Sequence, residues 1–186
     1  MTRLAARIVI PLAILLAPIL ALAAVLVPLS LEHLVQEADA VVLGEAVRAE
    51  SFWGPRHERI YTDVTLRVER TIKGAPDVTE VTVRRLGGVV DGKGMKVPGA
   101  GTIAIGERHL LFLRRGEPER YVVMGMAQGI YRIRPPQIED GPEIAARDLS
   151  GAALAQPLAR QPAPDRLALP ELLGRIEKLL RPAGTR

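Results

Sequence analysis

The 186-residue chain contains no cysteine and no asparagine. Without thiols it can form no disulfide, thiolate metal site, redox pair or cysteine nucleophile. Without asparagine it has no N-glycosylation acceptor. Many small exported domains make up for thin cores with disulfides, whereas this one must rely on burial alone. Aromatic residues are 3% of the chain: two Phe, one Trp and three Tyr. Surfaces that stack nucleic-acid bases need aromatic faces, so their scarcity argues against that class. His33, His57 and His109 are the only histidines, and no two share a metal-ligand spacing. Ser30, Ser51 and Ser150 are the only serines, and none lies in a G-x-S-x-G context.

Charge is absent from residues 8–31, and this is the chain's most informative feature. No charged residue lies between Arg7 and Glu32. A basic leader followed by an apolar run is what export machinery reads. The run is long enough to span a bilayer, which takes about 20 residues. Pro11, Pro18 and Pro28 interrupt it, and Ala21-Leu22-Ala23 is a small-x-small cleavage site. Residues 1–24 are therefore expected to be a signal peptide, with an uncleaved anchor as the alternative, and the mature chain to start near Val25. The protein is expected to be periplasmic or secreted, and at the membrane only if the leader stays. Residues 25–31 remain apolar and are expected to pack on the domain.

The remainder is about 160 residues, enough for one domain with its own core. The formal charge is +4. The 25 basic residues less Arg3 and Arg7 stand against 21 acidic ones, a net +2. The arginines are dispersed, as in Arg84-Arg85, Arg114-Arg115, Arg132 and Arg134, and read as solvated ends and faces of strands. No nucleic-acid partner is expected.

Residues 29–38 read as a short helix with Ser30 as N-cap. A strand follows over 40–49, with a bulge or bend at Gly44. In residues 60–72 the even positions are Ile60, Thr62, Val64, Leu66, Val68 and Ile72, against odd Tyr61, Asp63, Thr65, Arg67, Glu69 and Thr71. Such alternation specifies a long half-buried strand, because successive side chains point to opposite faces. Residues 73–76 and 116–120 read as turns. Further strands are expected over 78–86, 108–114, 121–126, 129–134 and 143–149. The Leu110-Leu111-Phe112-Leu113 run suits burial on both faces. Residues 87–101 form a glycine-rich excursion with a hairpin around Asp91-Gly92. Residues 151–168 read as a linker and 169–181 as an amphipathic helix, with i,i+4 pairs Glu171–Arg175 and Glu177–Arg181. Short strands with frequent turns imply a closed all-β domain, a five-stranded barrel with extra strands.

Three segments carry a resemblance: ADAVVLGEA at 38–46, YTDVTLRVERTIKG at 61–74 and IAIGERHLLFL at 103–113. They resemble exported bacterial domains that are themselves remotely similar to the netrin-like modules of the tissue inhibitors of metalloproteinases. The resemblance implies an OB-like antiparallel barrel and a protein partner outside the cell, such as a protease or an envelope protein. The inhibitors chelate a protease zinc through an N-terminal cysteine, which this chain lacks, so that mechanism does not carry over.

Catalytic signatures are incomplete. Residues 87–94 match G-x-x-x-x-G-K, but Gly94 stands where a phosphate loop needs a magnesium-binding hydroxyl. No catalytic, metal or cofactor residue is assigned. His57 lies in a polar loop and His109 opens a buried strand, capping its end. Asp63, Glu69 and Glu80 read as salt-bridge partners. Phe52 and Trp53, read as lying in the loop between the first two strands, either plug the barrel mouth or form an exposed anchor, and Trp is common at binding hot spots. Phe52, Trp53, His57 and Tyr61 are the candidate partner-binding residues. The expected function is an exported non-enzymatic binding module. An anchored envelope structural protein and a hydrolase with a carboxylate or histidine site are the alternatives.

Overall fold

The computed structural model describes residues 24–74, 78–116, 120–155 and 162–181. Residues 1–23 of the predicted export signal lie outside the described residues, as do parts of the turns after Gly74 and Gly116 and part of the predicted linker. Among the described residues no helix is long and apolar enough to cross a membrane.

The domain is mostly β. Five strands close into a barrel: β2 (Ala40–Trp53), β3 (Ile60–Lys73), β4 (Glu80–Leu86), β7 (Arg108–Arg115) and β8 (Tyr121–Val123). β2 pairs with β3, β3 with β4, β4 with β8, β8 with β7, and β7 again with β2. Only the β4–β8 pairing is parallel among these. β7 pairs through residues 113–115 with β8 and through residues 109–111 with β9 (Ile130–Arg134). From there β10 (Ile144–Ala146) and β12 (Arg166–Ala168) extend the sheet. β5 (Gly88–Val90) and β6 (Lys93–Met95) form the predicted hairpin around Asp91-Gly92.

Barrel closure demands strong coiling, which bulges supply. β2 and β3 slip register at three places, one of them between Leu43 and Gly44. A Cβ on Gly44 would lie 2.4 Å from the Arg67 carbonyl oxygen, so no larger residue fits the crossing.

Strand β7 separates two cores. Leu111 and Leu113 point into the barrel with Val42, Val64, Leu66 and Val83. Leu110 and Phe112 point the other way, onto α1 (Leu31–Glu37) and α2 (Leu169–Leu180). All four β7 residues are fully buried. The Ser30 hydroxyl accepts the His33 N–H at 3.2 Å and caps α1. Leu172 and Ile176, fully enclosed, seal α2 onto the outer core. Burying such a side chain contributes about 1.5–3 kcal/mol. One of the two predicted helix pairs forms, Arg175 to Glu171 at 2.8 Å. Glu177 instead takes Arg70 of β3 at 2.5 Å, joining helix to barrel.

The predicted linker is not featureless. β11 (Ala152–Leu154) pairs in parallel with β1 (Ala24–Leu26), and β12 pairs with β10. Arg147, buried, donates to Asp165 at 2.6 Å and to the Ala163 carbonyl, and Tyr131 donates to the Pro164 carbonyl at 2.8 Å. Burial raises the Tyr131 phenol to about 12. The apolar stretch after the predicted export signal packs only in part. Leu29 and Leu31 join the outer core, but Val25 and Val27 stay 70% and 73% exposed. What holds that stretch is polar: Gln128 accepts the Leu29 N–H at 2.8 Å and donates to the Val27 carbonyl at 3.0 Å. Gln128 lies on the short 3-10 helix Met126–Gly129, and the strand expected over 121–126 stops before it at Val123.

Candidate functional site

Strand alternation sorts the candidate residues. On β3, Ile60, Thr62, Val64 and Leu66 face the barrel interior, so Tyr61 and Asp63 face outward. Phe52 lies opposite Tyr61 and Trp53 opposite Ile60. Phe52 and Trp53 are therefore not in a loop: they end β2 and point to opposite sides of it. The connecting loop is residues 54–59. The structure thus brings Phe52 and Tyr61 together but not all four predicted residues.

On the outer side, the Phe52 and Tyr61 rings stack at 6.2 Å. The guanidinium of Arg84, which faces Asp63 across the β3–β4 register, lies 4.8 Å over Phe52 and 5.9 Å from the Tyr61 ring centre. Both distances suit a cation held on aromatic faces. Arg84 is fixed by Asp63, donating Nε to Oδ1 at 2.7 Å and a terminal nitrogen to Oδ2 at 2.8 Å. Such two-pronged pairing sets the guanidinium plane. Arg120, ahead of β8, donates to the same Oδ2 at 2.8 Å. Burial pushes the Asp63 carboxyl up, but the hydrogen bonds and charges of Arg84 and Arg120 outweigh it and hold the group below its ordinary value.

Beside Tyr61 is a depression of 260 Å³, lined by Tyr61 and by Gly54, Pro55, Arg56, Glu58 and Arg59 of the loop. Gly54 is buried under the Tyr61 ring, where a Cβ would lie 2.9 Å from Cε2. The loop closes on itself, with the Gly54 N–H reaching the Arg59 carbonyl and the His57 N–H the Gly54 carbonyl, each at 2.8 Å.

On the other side of β2, the Trp53 ring stacks with His57 at 6.1 Å and Lys93 of the β5–β6 hairpin stands 6.0 Å from it. His57 is exposed, as the sequence predicts, and has φ 54°. Trp53 is half-buried here, against the loop and the hairpin.

His109 stands second in β7, near the start of the buried strand, and is fully enclosed. Among the described residues neither ring nitrogen makes a well-formed hydrogen bond, and the Ala104 backbone is the polar group nearest to offering one. The nearest carboxylate, Glu107, is 3.9 Å away and is also paired to Arg132. Burial lowers the imidazole pKa, against the opposing pull of Glu107. Among the described residues no three His, Asp or Glu side chains are grouped to hold a metal ion.

Sequence reasoning missed Arg84 and Arg120. Alternation with Val81 and Val83 places Arg84 on the outward face, and that much is readable. Its meeting with Asp63 and Phe52 depends on register across three strands, which no local pattern encodes. Comparison with protein-family models, curated proteins and solved structures gives no match.

Proposed function

We propose that the protein is an exported, non-enzymatic binding module of OB-type, netrin-like architecture, with a protein partner outside the cytoplasm. Numbered along the chain, the five barrel strands run 1-2-3-5-4 and back to 1, with the third and fifth parallel. That order supports the OB-type reading. OB barrels bind ligands across strands 2 and 3 and in the loops joining strands 1–2 and 4–5. Here those are β3, β4, the 54–59 loop and the approach to Arg120. The apolar run and small-x-small site ahead of β1 support export.

The observation that carries the binding role is the Tyr61–Phe52–Arg84 stack beside the 260 Å³ depression. Tyr and Arg are the residue types that dominate interface energetics, and here both are held rigid before any partner arrives. Asp63, the carboxylate at the stack, is committed to two guanidinium groups, which argues against a catalytic role for it.

The test is photo-crosslinking from Arg59 in cells, with the captured partner identified by mass and its affinity then measured. Tyr61→Ala should weaken that affinity at least tenfold, the size of a hot spot. Trp53→Ala, on the far side of β2, should leave it nearly unchanged. Equal effects, or none from Tyr61→Ala in a folded variant, would sink the assignment.

A further inference from the structure

The interior column of β4 is Val81, Val83 and Arg85. The third member puts a guanidinium where its two neighbours put core methyl groups. It sits at the barrel mouth under the glycine-rich excursion, lining a cavity of 410 Å³ with Thr62, Gly88, Lys96 and Asp148. The sequence reading of Arg85 as a solvated strand residue is corrected here.

Arg85 makes one hydrogen bond, from a terminal nitrogen to the Gly101 carbonyl at 2.7 Å. Its Nε is buried with no partner. Among the described residues every other arginine either reaches a carboxylate or is exposed. Arg85 does neither, and burial depresses its pKa, though a guanidinium stays charged. A desolvated charge without a counter-charge is costly to keep. The cavity above it is in the size range of small-ligand pockets, roughly 300–1,000 Å³. Its wall is closely fitted: a Cβ on Gly88 would lie 2.3 Å from the Thr62 hydroxyl.

We propose that this cavity binds a carboxylate, from a small acid or from a peptide C terminus, seated on Arg85. The guanidinium fork matches the two oxygens of a carboxylate. Lys96 adds a second positive charge at the cavity. Asp148, ionised and accepting the Ser150 N–H at 2.9 Å, also lines it and disfavours a doubly charged phosphate. The site is on the inner face of β4 and does not depend on the Tyr61 face.

The test is calorimetric titration of the purified full chain with N-acetyl-alanine, tetra-alanine, tetra-alanine amide and inorganic phosphate. Tetra-alanine should bind at least tenfold more tightly than its amide and than phosphate. Arg85→Gln should weaken that binding at least tenfold without lowering the melting temperature, because it removes an uncompensated charge. Equal binding of N-acetyl-alanine assigns a small acid, and binding of tetra-alanine well above it assigns a peptide terminus. No binding by either acid, equal binding of the amide or phosphate, or undiminished binding by Arg85→Gln overturns the proposal. If Arg85→Gln does not fold, the acid-against-amide comparison on the unmodified chain still decides.

Discussion

A fully enclosed imidazole makes the protein sensitive to acid at His109. The pKa of His109 is lowered on folding from its ordinary 6.5, with burial as the main cause. In the unfolded chain the ring takes up a proton as pH falls through about 6.5, while the folded ring does not. Stability is therefore full above that pH and declines below it, by up to about 1.4 kcal/mol per pH unit until the folded pKa is reached. His109→Leu should be at least as stable at pH 7.5 and should flatten this decline. Melting temperatures of both forms between pH 7.5 and 5 test it; parallel curves would assign the decline elsewhere. Asp63 has the same sign of dependence in a lower pH window. Its depressed pKa contributes stability above about 3.9, lost as pH falls through the folded value. Asp63→Asn should cost about 2 kcal/mol at pH 7, the order of a hydrogen bond to a charged group, as read by urea denaturation. It should also release Arg84 from the Phe52 and Tyr61 rings. At this scale the sequence was informative about types and poor about partners. The outward direction of Tyr61 and Asp63 follows from alternation. That Phe52 and Trp53 part to opposite sides follows from the same rule once both are known to lie in a strand. The strand's extension past residue 49 was hidden by Glu50 and Ser51, which break its apolar pattern.

Among the elements, α2 shows what a stripe can and cannot tell. Leu169, Leu172, Leu173 and Ile176 mark one face, and that face meets the outer core. The expected pairing of Glu177 with Arg181 looked along the helix only. Arg70, 107 residues away in sequence, meets Glu177 because β3 runs beneath α2. Leu172→Ala should cost about 2–5 kcal/mol, as for other fully buried leucines. Glu177→Gln, at an exposed pair, should cost no more than about 1 kcal/mol. Chemical denaturation of the two variants should show this gap, and comparable losses would mean that α2 is held by charge and not by burial. The short strands β11 and β12 were not legible. Three residues carry too little pattern to stand out from a Pro- and Ala-rich stretch, and both exist only because a partner strand is already in place.

At the scale of the molecule, β7 belongs to both cores, so neither is expected to melt alone. Leu111→Ala inside the barrel and Leu172→Ala outside it should each lower the transition seen by Trp53 fluorescence and by far-UV circular dichroism together. Separate transitions would divide the protein into two cooperative units. The barrel class was readable because turn spacing and alternation are local, while the strand order needed the parallel closure of β4 on β8. Intact mass of the protein from an envelope fraction should give a chain beginning at Ala24 or Val25. A chain retaining residues 1–23 would make the apolar run an anchor. In that case the Gln128 clamp acquires a mechanical role. Tension between membrane and domain would meet the short β1–β11 pairing first, and then the two Gln128 amide bonds at Val27 and Leu29, before it reached the barrel. The pairing and the clamp together would act as a fuse: under load they would part before the barrel, lengthening the tether by several residues and leaving the Tyr61 face in shape.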